Sequence, residues 1–267
     1  SFEKLLLETS LRGAQQKNEL FLVYQPQLNS VTNEIFGMEV LVRWKHKELG
    51  LVSPGEFIPL AEETGLIIPI GEWIFRTACE QYMRWYREQE LDAILSINLS
   101  AVQFNQENLV DLIKTIVDET GFPLDKLELE ITETAIMDSV EESIHILQEL
   151  RELGISVAVD DFGTGYSSLN YLHRFPIQKL KIDQSFISDV PGNSDDVTIV
   201  SAIISLAQNL QLDCIAEGVE TSEQLEFLKH KGCTLIQGYY YSPPLDAKKM
   251  EMVLHNKSLD SENRTTM

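Results

Sequence analysis

The feature that most constrains this chain is alternation: apolar runs of strand length follow one another, separated by amphipathic stretches of helical period. The strand-like runs fall at 19–27, 34–44, 93–99, 127–132, 155–160, 179–183, 214–217 and 234–238. Helical patterns occupy 67–88, 106–120, 140–153, 195–210 and 222–231, and residues 1–17 open the chain as a further helix. The ends carry local signals. Thr221-Ser222-Glu223 precedes the helical pattern QLEFL as an N-cap with early acidic residues, and Gly121 and Gly154 stand where helix C-caps belong. Strands alternating with helices through short connections imply a parallel sheet. About eight of them in one unit imply closure.

The first two runs break that rule. They are joined by LNSVTN, too short for a crossover helix, so they pair antiparallel. The expected architecture is therefore α/β: a modified (β/α)8, TIM-like barrel with one antiparallel strand. Residues 1–18 read as an N-terminal helix or linker, 19–255 as the barrel, and 256–267 as a polar, disordered tail. The 267 residues suit such a barrel, which takes about 250.

Charge narrows the function. A net charge of −21 argues against a DNA or RNA duplex as partner, since binding one needs a basic surface to displace counterions. A small anionic ligand remains compatible if cations and a few basic side chains supply local positive charge. Cys79, Cys214 and Cys233 show no C-x-x-C spacing and read as small buried hydrophobes in a reducing, cytoplasmic setting. No apolar run is long enough to span a bilayer, and the amphipathic start SFEKLLLETSLRGA is not a signal peptide. The chain opens on Ser rather than Met, as a piece excised from a longer, membrane-anchored or soluble protein would.

The strands carry polar residues where a barrel wants apolar ones. Glu39 lies in GMEVLVRW, Asn98 in LSINLS and Glu130 in LELEIT; Asp160 and Asp161 end SVAVDD; Lys181 and Asp183 lie in KLKID; Glu217 ends CIAE and Gln237 ends TLIQ. Strand side chains alternate, so Glu39, Leu41 and Arg43 share a face, as do Lys181 and Asp183. Adjacent Asp160 and Asp161 cannot both point inward from a regular strand, and a turn at the strand end is expected to bring them together. Glu128 shares the parity of Glu130 and finds no account at this level. Singly, each residue has an ordinary structural role: a solvated loop anchor, a turn residue, an ion-pair partner. Together they converge, because the C-terminal strand ends of a barrel meet on one face. That many carboxylates cannot all stay ionised without a cation. Oxygen donors suit Mg²⁺ or Mn²⁺, whereas His46, His145, His173, His230 and His255 show no zinc-ligand spacing.

At these residues the sequence resembles the EAL-domain family of cyclic di-GMP phosphodiesterases. The segments run in order: YQP at 24–26, EVLVRW at 39–44, FIPLAEETG at 57–65, NLS at 98–100, LEITET at 129–134, DDFGTGYSSL at 160–169, KLKID at 179–183, AEGVE at 216–220 and QGYYYSPPL at 237–245. The resemblance implies metal-dependent hydrolysis of cyclic di-GMP to linear pGpG with two Mg²⁺ or Mn²⁺ ions per site. In that pattern Glu39, Asn98, Glu130 and Asp160 resemble ligands of the first metal. Asp160 and Asp161 resemble those of the second. Glu217 resembles the ligand or base beside the reacting water, and Lys181 the catalytic lysine. Gln25, Leu41 and Arg43 resemble substrate-contacting positions, completed by Asp183, Gln237 and Pro244. Glu133 resembles the residue that steadies the DFGTGYSS loop, which the family couples to a dimer contact. A homodimer and a preceding sensor or diguanylate cyclase domain are further implications.

Two positions depart from the pattern: Val40 replaces the eponymous Ala, and Pro243 stands where a basic residue is frequent. Neither removes a ligand. A non-catalytic cyclic di-GMP receptor is the alternative, and the complete ligand set speaks against it. An enolase-like enzyme would need a capping domain for which the segment before Glu19 is too short, and a glycosidase would need one carboxylate pair in an aromatic cleft.

Overall fold

The computed structural model describes residues 2–89, 91–165 and 169–256. Nine strands form one sheet: β1 (Leu20–Asn29), β2 (Glu34–His46), β3 (Gly50–Val52), β4 (Ile94–Leu99), β5 (Leu127–Thr132), β6 (Ser156–Phe162), β7 (Lys179–Ile182), β8 (Asp213–Ala216) and β9 (Leu235–Ile236). Its order is β1-β9-β8-β7-β6-β5-β4-β2-β3, and β1 also pairs with β2, so eight strands close into a barrel while β3 pairs antiparallel with the C-terminal end of β2. β1 runs antiparallel to both β2 and β9, and β2 and β4–β9 pair parallel with one another. This is the expected barrel with one reversed strand. The reversal follows from the tight link between β1 and β2, where the Asn29 side chain accepts from the Val31 and Thr32 N–H groups and Asn33 takes a left-handed φ of 58°.

Parity divides the strands into two faces. Met38 and Val40, Leu95, Ile97 and Leu99, Leu127, Leu129 and Ile131, Val157 and Val159, and Leu180 and Ile182 join the core between sheet and helices. The alternate positions are largely polar and stack in two layers. In the lower layer Lys179 Nζ lies 2.8 Å from the Glu128 carboxylate, which also accepts from Ser96 Oγ at 3.0 Å. Glu128 therefore has a role: it is half of a buried, hydrogen-bonded ion pair beneath the strand-end cluster. The partners are supplied by β4 and β7, which lie on opposite sides of β5 and β6 and are invisible from β5 alone.

Helix ends follow the expected chemistry. Thr221 closes a capping box with Gln224, and Gly121 ends Leu109–Thr120 at a φ of 73°. The helix expected over 106–120 spans Leu109–Thr120, and a separate turn of helix, Ala101–Phe104, precedes it, started by a second capping box between Ser100 and Gln103. β3 and the helices Pro54–Glu63, Glu133–Asp138, Gln184–Ile187 and Ala247–Asn256 were not anticipated from the pattern. Most are too short to show a period. The N-terminal helix Phe2–Ala14 buries Leu11 and Ala14 against Trp44, Phe57 and Ile70 in a second, smaller core. Cys79 and Cys233 are buried, Cys214 is partly so, and all three are free thiols. Residues 257–267, the greater part of the expected tail, lie outside the described residues.

Candidate active site

Lys181 is the hub of the upper layer. It is fully buried, and its ammonium contacts Glu130 Oε2, Glu217 Oε1 at 2.7 Å, Asp160 Oδ1 at 3.3 Å and Glu39 Oε2 at 3.8 Å. β7 aims it inward, while β2, β5, β6 and the residue just past β8 supply the carboxylates. Glu39 accepts from Asn98 Nδ2 at 2.6 Å and from Gln237 Nε2 at 2.5 Å, and Gln237 also donates to Gln25 Oε1 at 3.1 Å.

Burial and charge act against each other here. Burial alone would raise Glu39, but Lys181 and the donors Gln237 and Asn98 outweigh it and hold its carboxyl below the usual range. Glu130 has the opposite outcome: burial, then Glu39, Asp160 and Glu217, drive it well above that range despite Lys181. Burial pushes Glu217 up to about 8, reinforced by Asp160 and Glu39 against the pull of Lys181. Asp161 rises to about 6 through burial, Asp160 and Asp183. Burial would lower Lys181, yet Asp160, Glu130, Glu217 and Glu39 keep it well above its ordinary value.

The adjacent aspartates converge by a device other than the turn expected from sequence. β6 continues to Phe162. Val159 pairs with Leu180 and Phe162 with Ile182, so Asp160 and Asp161 share the single station opposite Lys181. This is a β-bulge. Asp161 adopts a φ of 53°, a conformation Asp tolerates better than most residues, and its N–H donates to Asp160 Oδ1 at 2.9 Å. The bulge turns two neighbours onto one side, and oxygens of Asp160, Asp161 and Glu217 come within 4.8 Å of one another.

These residues fit a divalent cation. All the donors are oxygens, and one lysine faces a surplus of carboxylates. Among the described residues, Glu130 Oε1 is one of the few buried side-chain atoms with no hydrogen-bond partner. A carboxylate oxygen left unsatisfied inside a barrel costs free energy unless a cation takes it. The cluster floors an open cleft of about 550 Å³ lined by Gln25, Leu41, Arg43, Asp183, Tyr239 and Pro244 among others.

The profile of the EAL domain family matches residues 8–244. This chain belongs to the EAL domain family. It is 43% identical over 248 residues to the bifunctional diguanylate cyclase/cyclic di-GMP phosphodiesterase MucR of Pseudomonas aeruginosa, an alignment covering 93% of this chain and 36% of MucR. It is 41% identical over 259 residues to the cyclic di-GMP phosphodiesterase NbdA of the same organism, covering 97% of this chain and 33% of NbdA. The EAL domain thus spans about a third of the length of these relatives. A solved structure of the MucR phosphodiesterase in complex with c-di-GMP superposes with a TM-score of 0.89 at 42% identity, covering 92% of this chain and 99% of that one.

In this EAL domain, Glu39, Asn98, Glu130, Asp160, Asp161, Lys181 and Glu217 are brought to one centre. Gln25, Leu41, Arg43, Asp183, Gln237 and Pro244 line the cleft above it. Asp183 has a second duty, capping Gln184–Ile187 by accepting from the Ser185 N–H at 2.9 Å. Arg43 Nη1 donates to the Val42 carbonyl at 2.9 Å. Glu133 sits behind the centre and accepts from the Gly163 N–H at 3.1 Å, while residues 166–168 of the same loop lie outside the described residues. Tyr239, Glu220 and Gln27 were not singled out from sequence. Tyr239 and Glu220 line the cleft, and Gln27 donates to Gln237 Oε1 at 3.0 Å. The alternation of β1 offered a signal for Gln27, which shares its parity with Gln25.

Proposed function

We propose that this EAL domain hydrolyses cyclic di-GMP to linear pGpG with two Mg²⁺ or Mn²⁺ ions. The observation that carries the reading is the gathering of four carboxylates on one fully buried lysine at the floor of a cleft of nucleotide size. The c-di-GMP complex of the similar MucR domain supports the choice of ligand. Glu39, Asn98, Glu130 and Asp160 would hold one cation, and Asp160 and Asp161, with Glu217, the other. When bound, such a pair supplies charge neutralisation at the phosphoryl oxygens and a more acidic water.

The chain's own residues do the rest. Arg43, at the cleft wall, anchors a phosphate oxygen by a charge-assisted hydrogen bond. Glu217, at the cleft floor, orients the attacking water and takes its proton. Lys181, locked by its carboxylate partners, offsets the charge that builds on the phosphoryl group as the 3′ oxygen leaves. Gln25, Leu41, Asp183, Gln237 and Pro244 shape the cleft around the dinucleotide. The test is turnover of cyclic di-GMP with Mg²⁺ or Mn²⁺, followed by chromatography. Linear product is expected from the wild type and none from Glu39→Ala. Normal turnover by Glu39→Ala, or binding by the wild type without turnover, would overturn the reading.

A homodimer coupled to the Glu133-supported loop, and a sensor or diguanylate cyclase domain in the same polypeptide, belong to this proposal; the bifunctional naming of MucR supports the second. A cytoplasmic setting agrees with the free thiols, and no helix among the described residues is long and apolar enough to cross a membrane.

A further inference from the structure

We infer that Gln27 is a positioning residue for the Glu39 side of the metal centre, acting through Gln237; the inference rests on the reading of Glu39 as a metal ligand. An ionised carboxylate only accepts hydrogen bonds, whereas an amide presents one accepting and one donating end. Glu39 Oε2 meets Gln237 at 2.5 Å, so that end of Gln237 must be its NH₂ group. The same group also reaches Gln25 Oε1 at 3.1 Å. Gln237 Oε1 is therefore turned the other way and needs a donor, and Gln27 Nε2 supplies it at 3.0 Å. Gln27 is completely buried and Gln237 and Glu39 nearly so at the cleft floor, so these bonds are strong in their low-dielectric setting and the polarity passes along the chain. With Asn98 donating to Glu39 Oε1, both oxygens of the carboxylate are held.

The backbone makes room for this relay. Gln27 of β1 faces Gly37 of β2 directly across the hairpin, and a Cβ at position 37 would come within 2.7 Å of Gln27 Oε1. The ladder shifts register immediately after Gln27. The amide is thus seated by a missing side chain on its neighbour. Among the described residues its own Oε1 has no hydrogen-bond partner, so this side chain's hydrogen bonding there is directed at Gln237. A purely space-filling role would be met by Met or Leu. A buried amide with one end unsatisfied has a cost, and orientation of Gln237 offsets it.

The experiment titrates Mn²⁺ alone into the wild type, Gln27→Met, Gln237→Met and the double variant by calorimetry, with melting temperatures alongside. Loss of a partner behind a ligand weakens metal affinity by about 10–100-fold. Gln27→Met is expected to lose about tenfold. Its kcat at low Mn²⁺ falls in proportion and recovers at saturating Mn²⁺, while KM for cyclic di-GMP at saturation is unchanged. In the Gln237→Met background the second substitution adds nothing, because the route through position 237 is already cut. Unchanged Mn²⁺ affinity in Gln27→Met, or an equal loss in both backgrounds, overturns the inference. Gln27→Asn, which keeps an amide but withdraws it by one methylene, provides the same test should the Met variant not fold: it too must lose affinity, and wild-type affinity refutes the role. A wild type that takes up no Mn²⁺ defeats the metal reading itself and this inference with it. A wild type that binds while the position-27 variants match it defeats only the role of Gln27.

Discussion

Lys181→Met removes a charge while nearly conserving volume, and the contacts set the size of the effect. The ammonium is completely buried and within 4 Å of Glu130, Glu217, Asp160 and Glu39, so its loss leaves those carboxylates with no cation of their own. Coulomb attraction falls as 1/r, so Glu39 at 3.8 Å feels about 0.7 of the pull on Glu217 at 2.7 Å. Glu217 is thus among the groups most disturbed. Deleting one partner of a buried ion pair costs about 3–5 kcal/mol. For a domain of this size 1 kcal/mol moves the melting temperature by about 2–4 °C, so the EDTA-treated variant should melt roughly 6–20 °C below the wild type at pH 8. The gap should narrow at pH 5, where the carboxylates take up protons instead. Mn²⁺ should restore much of the melting temperature, since it replaces the missing charge. Turnover should remain about 10²–10³-fold down, the size of effect seen when one transition-state donor is lost. Paired thermal scans with EDTA and with Mn²⁺, plus chromatography of the product, measure both. If the EDTA-treated variant melts with the wild type at pH 8, Lys181 does not hold this cluster together and the electrostatic account fails.

Three further outcomes are expected. Glu217 and Asp161 are raised to about 8 and about 6, so the metal-free fold retains protons that the unfolded chain has shed. Its stability must then fall as pH rises from the ordinary carboxylate range towards 8, and Mn²⁺ binding must tighten over the same window with proton release; calorimetry at pH 6 and pH 8 in buffers of different ionisation heat checks this, and equal affinities would contradict it. Arg43→Ala removes one charge-assisted bond worth about 1.5–3 kcal/mol, so KM for cyclic di-GMP should rise by about 10–100-fold with kcat little changed; an equal fall in kcat would place Arg43 in the chemical step instead. Glu133→Ala withdraws the acceptor of the Gly163 N–H, two residues from Asp161. Mn²⁺ affinity or dimerisation, read by calorimetry and sedimentation, should weaken, and wild-type values for both would remove the proposed role of this contact.

By itself the sequence determined the class of fold and the face on which the chemistry sits. Alternation at period two sorted Glu39 from Val40 and Lys181 from Leu180, the short LNSVTN link set one strand against the others, and the acidic strand ends named the centre. These are local properties, carried by residues a few positions apart. Only the tertiary structure decided how neighbouring strands register. Register placed Asp160 and Asp161 together on a bulge opposite Lys181, married Glu128 to Lys179 and Ser96, and seated Gln27 in the space left by Gly37. Pairing partners in a closed barrel are fixed by its closure and stagger, which no short window of sequence contains.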